Sequence, residues 1–281
     1  MPARPARSPT RNALPARTRR GAPAGGRSAW GWALAGALLG ALPALAVFAP
    51  AQWLASTVAR ASGGQVQLAQ ARGTVWNGSA QLVLTGGLDS QDAAALPGRL
   101  NWQLRPTWGG GVRALVRAAC CTPEPLRLQV QPRWGGAQLT VQDNQSQWPA
   151  ALLTGLGTPW NTLQLQGQLA LHTSGLNAEW ASGRMLLAGQ LQLDALALST
   201  RLSTLRPMGS YRLLLEGGAV PTLQLTTLDG ALQMQGSGQW VGKRLRFEGE
   251  ATAEPEREAA LSNLLNIIGR RRGARSLITL G

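Results

Sequence analysis

Cys120 and Cys121 are the chain's two thiols, and they are adjacent. Neighbouring cysteines close a strained ring when they bond, so two small buried residues at a strand end are the favoured expectation. An oxidised vicinal pair, formed in an oxidising compartment, is the other reading. Neither gives a metal cage, because there is no third cysteine and the lone His172 cannot complete one. The remaining candidates for chemistry are 13 scattered acids, Arg244 and Arg246 flanking Leu245, and the run Arg270, Arg271, Arg272. No nucleophile–base pair, phosphate-binding loop or nucleophile elbow joins them. The sequence therefore predicts no catalytic residue, no metal site and no cofactor: a protein that is not an enzyme. Arg244 and Arg246 fit a solvated strand face. The Arg270–Arg272 run suits a helix C-terminus, or contact with anionic lipid or an acidic partner.

One stretch, "RGTVWNGSAQLVL" at 72–84, admits three readings. Asn77-Gly78-Ser79 spells a glycosylation acceptor. Trp76 beside Arg72 could stack on a nucleic-acid base. Asn-Gly between alternating runs could be the tip of a β-hairpin. The compartment and the charge distribution decide among them.

The chain has 281 residues, with 27 basic and 13 acidic side chains and a formal charge of +14. All but one of the basic residues are Arg, Lys243 being the exception, and seven Arg lie before the uncharged stretch that begins at Ser28. Bias toward Arg, Ala and Gly reflects a GC-rich genome as much as a function. No Arg stripe interleaved with aromatics follows, so the nucleic-acid footprint is missing. From Ser28 to Ala59 no side chain is charged, and "AWGWALAGALLGALPALAVFAP" supplies about 20 apolar residues, enough to cross ~30 Å of hydrocarbon. Trp30, Trp32 and Trp53 match interfacial aromatic belts, and the seven leading Arg predict a cytoplasmic N-terminus. A cleaved signal peptide ending at Ala49-Pro50-Ala51 is the alternative, but the apolar stretch exceeds a usual h-region of about 7–15 residues. The expected organisation is a disordered cytoplasmic tail over 1–28, a transmembrane anchor over 29–51 and a periplasmic β domain over 52–281, in a bacterial inner membrane.

Beyond a short helix ending at Gly63-Gly64, period-two alternation dominates as far as residue 252. Leu100, Trp102 and Leu104 share one face, as do Leu126, Leu128 and Val130, while Gln, Arg, Thr and Ser take the other. That is antiparallel sheet with one face buried. "LNWQLRPTWGGGV" and "LRLQVQPRWGGAQ" align at an offset of 26, which predicts a duplicated hairpin, with Trp108 and Trp134 capping one sheet edge. About 10 to 14 strands are expected, with no parallel βαβ unit. One or two helical turns are expected over 148–157. A firmer helix runs from Pro255 to Ile268, with Leu261, Leu264, Leu265 and Ile268 as its stripe and the three Arg at its C-terminal end. "RSLITLG" reads as a final strand. For the opening stretch the turn wins: Asn77-Gly78 forms the tip, and Gly73 and Gly78 bracket a three-residue strand, Thr74 to Trp76.

Four features together resemble protein N of the bacterial type II secretion system: the single N-terminal anchor, "RGTVWNGSA", "RAACCTPEPLRLQVQPRWGG" and "LSNLLNIIGRRRGARSLITLG". The resemblance covers about residues 28 to 281. Its motifs fall on Gly73, Trp76 and Gly78, on Cys120 and Cys121, and on Asn263, Leu264, Leu265, Ile268, Gly269, Ser276 and Gly281. These are structural signatures with no chemistry attached. The resemblance implies an accessory inner-membrane component supporting export of folded periplasmic proteins across the outer membrane. Its partners would be other inner-membrane platform proteins. The expected fold is mainly β: a transmembrane helix, then a curved antiparallel sheet or flattened sandwich with a short C-terminal helix. The alternative is an AsmA-like periplasmic groove that binds or transfers lipid.

Overall fold

The computed structural model describes residues 29–181, 184–242 and 244–281. The tail over 1–28 and Lys243, both singled out from the sequence, lie outside the described residues. The chain divides into two units, 1–46 and 47–281.

The described part of the first unit belongs to one helix, α1 (Ala29–Val47), which runs through Pro43 unbroken. Its window Trp30–Val47 is long and apolar enough to cross a membrane, and none of it is buried against protein. The helix is apolar on every side and has no polar face.

The second unit opens with α2 (Ala51–Ala61). Its last turn is closed by backbone bonds from Ser62, Gly63 and Gly64 to the carbonyls of Val58, Arg60 and Ala59, so the helix stops at the expected glycines. Sixteen strands then form one sheet. The first eight are β1 (Val66–Gly73), β2 (Asn77–Thr85), β3 (Ala93–Ala95), β4 (Leu100–Pro106), β5 (Val112–Ala118), β6 (Leu126–Arg133), β7 (Gly136–Val141) and β8 (Asn144–Pro149). A 3-10 segment, Ala150–Leu156, and the single turn α3 (Trp160–Leu163) interrupt the series. It resumes with β9 (Gln166–Ala181), β10 (Arg184–Ser199), β11 (Gly209–Gly218), β12 (Thr222–Asp229), β13 (Leu232–Val241) and β14 (Arg244–Ala253). A 3-10 turn, Pro255–Arg257, leads into α4 (Glu258–Ile268), and β15 (Arg270–Arg272) and β16 (Arg275–Leu280) end the chain.

The sheet is open and follows chain order with three exceptions: β3 branches from β2, β8 branches from the central strand β9, and β16 lies inside β15. The pairings are antiparallel, for example Trp102 opposite Val116 and Leu193 opposite Leu213. The expected 10 to 14 strands undercount it, because β3 and β15 are three residues long and carry no period-two signal. A sandwich is not formed. The two 16-residue strands β9 and β10 join the halves, with β9 pairing β7 over one stretch and β8 over another.

Cores form where helices cover the apolar face. Ala51 of α2 meets Ala80 and Trp102. The Ala150–Leu156 segment delivers Leu152 to Leu96, Ala118 and Cys121. α4 delivers Leu261, Leu264 and Leu265 to Leu169, Tyr211, Leu232 and Ala251.

The duplicated hairpins exist as β4–β5 and β6–β7, but Trp108 and Trp134 cap nothing. They stand fully exposed at the two tips. The Arg270–Arg272 run is also not a helix end, for it is the edge strand β15, paired with β16. Gly269 is extended (φ −173°) and breaks the helix before the run begins.

Candidate functional site

The motif at 72–78 is a junction. β1 and β2 close through Thr74-Val75-Trp76, with Gly73 opposite Gly78. Asn77 and Gly78 therefore begin β2 and are not the turn tip, and 74–76 is a loop, not a strand. The conformation explains the shift. Gly73 is the residue with positive φ (+89°), and a Cβ on it would stand 2.5 Å from the Asn77 carbonyl oxygen. Thr74 and Asn77 then clasp the loop: the Thr74 N–H donates to the Asn77 carbonyl (2.9 Å) and the Asn77 N–H to Thr74 Oγ1 (3.1 Å). Gly78 is glycine for a different reason. A Cβ there would lie 2.5 Å from Cζ2 of Trp102, whose indole reaches it from β4.

That indole completes the junction. Trp102 is buried, and its Nε1–H donates to the Val75 carbonyl (3.0 Å). The Val75 N–H donates to the Ala49 carbonyl (2.8 Å), and Pro50 bridges to Thr74. The Trp76 carbonyl accepts from the Leu104 N–H (2.7 Å), fixing the loop to β4 as well. So Gly73, Trp76 and Gly78 tie the chain just beyond the apolar helix to the interior of the sheet. Sequence reasoning missed Trp102 as their partner, since only the β2–β4 register brings it to Gly78.

The closing motif builds the opposite margin. Leu264 and Leu265 are buried on α4, Ile268 packs beside them, and Asn263 faces solvent. Gly269 crosses β16 so closely that a Cβ would be 2.3 Å from the Leu277 carbonyl oxygen and 2.9 Å from Ser276 Oγ. Ser276 is wholly buried, and its hydroxyl has no hydrogen-bond partner among the described residues. A small side chain is what the crossing demands. Gly281, at φ +113°, lies against the Leu245 carbonyl, where a Cβ would be 2.5 Å away. Arg271 turns back over the helix and pairs with Glu258 (2.9 Å). An edge strand that is short and triply charged resists pairing with another chain, so β15 blunts this margin.

The two motifs are not brought together: one lies at the β1 margin and the other at the β15–β16 margin. Between them, Cys120 and Cys121 are joined in a disulfide, with Cys121 buried and Cys120 exposed. Of the two readings of this pair the structure has the oxidised one, and of the expected burial only Cys121 shows it. The bond sits in a tight turn closed by Thr122 Oγ1, which accepts from the Ala118 N–H (2.9 Å).

Two features carried no sequence signal. Asp194 and Arg212 are cross-strand partners on β10 and β11 and form a bidentate ion pair (2.7 and 2.8 Å). The Arg212 hydrogen bonds hold the Asp194 carboxyl below the usual aspartate range, against the opposing effect of burial. An apolar cavity of about 370 Å³ lies under α4, lined by Leu153, Trp160, Leu169, Tyr211, Leu264 and Ile268 among others. No charged group lines it. Its one hydroxyl, Tyr211, donates to the Leu232 carbonyl (3.1 Å), and burial pushes that phenol well above its ordinary pKa. Such a space can hold apolar matter. Among the described residues no group of His, Cys, Asp or Glu could hold a metal.

A single open antiparallel sheet, clasped at its first margin to the segment that follows an apolar helix, defines the class of fold. Residues 64–278 match the family described as type II secretion system protein N, and the chain belongs to that family. It is thus a type II secretion component. No curated protein and no solved structure matches the chain. None of these comparisons supports the AsmA-like lipid-transfer alternative.

Proposed function

We propose that the protein is an accessory inner-membrane component of the type II secretion system. In this reading its β domain faces the periplasm and it helps the platform export folded proteins. The carrying observation is the junction: the motif at 72–78 is spent on fixing the chain beyond an apolar, membrane-length helix to the sheet. The Cys120–Cys121 disulfide supports placement on the oxidising side of the membrane. The proposed role is non-catalytic, and the steric demands at Gly73, Gly78 and Gly269 fit motifs that shape the backbone. Its partners are other inner-membrane platform proteins.

Deleting the gene tests this. Export of the organism's own type II substrates should fall and return when the full chain is supplied. Unchanged exoprotein titres together with unchanged platform stoichiometry would sink the reading.

A further inference from the structure

The hairpin connections β1–β2, β4–β5, β6–β7, β9–β10, β11–β12 and β13–β14 all fall at one end of the sheet. The register requires it: Gly73 pairs Gly78, Pro106 pairs Val112, Arg133 pairs Gly136, Gly136 pairs Ala181, and Val241 pairs Arg244. This end is strongly apolar for a solvent surface. Trp108 and Trp134 are fully exposed at adjacent tips, and Trp180, Val220 and Val241 are about half exposed beside the next ones. The opposite end has no exposed Trp among the described residues.

The charge at the same end is basic. Arg105, Arg113, Arg133, Arg244 and Arg246 are exposed there, and none of them is in an ion pair among the described residues. The nearby acids are Glu179, Glu216 and Glu248. Trp beside Arg is the composition that partitions into the headgroup layer of an anionic bilayer.

The chain also enters the domain at this end. Val47 is the last residue of the apolar helix, and Ala49 is bonded to Val75 in the β1–β2 loop. Two residues of chain reach at most about 7 Å, so the loop lies near wherever the helix leaves hydrocarbon. Strands stand about 4.8 Å apart, which puts the β6–β7 tip within roughly 20 Å of β2.

We infer that this row of hairpin tips, led by Trp108 and Trp134, rests in the headgroup region of an anionic bilayer, so that the sheet stands on the membrane end-on. The inference rests on the membrane-tether reading above. The clasp at Gly73–Gly78 puts the attachment point at this end of the sheet; in the proposed placement the Arg side chains meet phosphate and the two indoles bury their rings at the interface. An end-on sheet leaves its far end, with α4 and the β15 margin, free for protein partners.

The test uses the full chain in vesicles of phosphatidylethanolamine with a minority of phosphatidylglycerol, their acyl chains brominated. An environment-sensitive fluorophore is attached at Trp108→Cys, Trp134→Cys, Gln233→Cys or Ala41→Cys, the native cysteines being joined to each other. Trp108 and Trp134 are fully exposed, so the substitutions leave the fold intact. Brominated lipid should cut emission at 108 and 134 by roughly half, and more at 41 inside the helix, with no effect at the far-end position 233. Quenching at 41 without quenching at 108 or 134 overturns the end-on placement and spares the tether. Absence of quenching at 41 overturns the tether reading, and the placement with it. Shielding of 108 and 134 only when other secretion proteins are present would make the tips a protein dock and would also overturn it.

Discussion

At the scale of single residues, the glycines of the family motifs, at 73, 78, 269 and 281, are places where a side chain would collide. Gly78 is required by the indole of Trp102, because a Cβ added at 78 would lie 2.5 Å from the ring. Gly78→Ala should push the ring aside, break its bond to Val75 and lower stability by about 2 kcal/mol, read as a reduced melting midpoint. An unchanged midpoint would mean that the clasp is slack. Asp194 is the contrasting case, held by chemistry instead of space. Its lowered pKa means that its contribution is fully present above about pH 4, where an unfolded aspartate ionises, and is lost as pH falls through the folded value. Asp194→Asn should therefore cost about 1 kcal/mol near neutrality, a figure discounted because the Arg212 side chain is 40% exposed. The deficit should shrink in strong acid, as shown by denaturant titrations of both proteins across that range; a deficit independent of pH would assign the effect to packing.

At the scale of elements, α4 is the piece that closes the largest core. Leu261, Leu264 and Leu265 sit at the helical spacing visible in the sequence, and all three are buried. Leu264→Asp should destabilise the domain by ~3 kcal/mol or more, through burial of an unpaired charge. If that variant melted like the parent yet lost association with the platform, α4 would be a docking surface and not a lid. The helix and the duplicated hairpins were legible because periodicity and turn chemistry are local. The fate of the elements' ends was not. Arg270–Arg272 resembles cations at a helix terminus until Gly269 is seen to cross β16, and that crossing depends on Leu277 and Ser276. Likewise Asn77-Gly78 carries a strong local turn signal, which loses to the pairing of both residues with β4. Trp108 and Trp134 were legible as a pair, but their exposure was not, because nothing local tells a capping indole from a bare one.

At the scale of the whole molecule, a sixteen-stranded open sheet has two margins and two faces to protect. α2 covers the apolar face near one margin, the charged three-residue β15 blunts the other, and α4 with the Ala150–Leu156 segment covers much of the remaining face. The opening and closing family motifs lie at those margins, where they shape the backbone. What the proposed role needs most is that the apolar helix holds this sheet on the far side of the inner membrane. A reporter that fluoresces only in the cytoplasm, fused after Gly281, tests it most directly. The fusion should be dark in cells where the same reporter placed before the helix is bright. A bright C-terminal fusion of full length would contradict it.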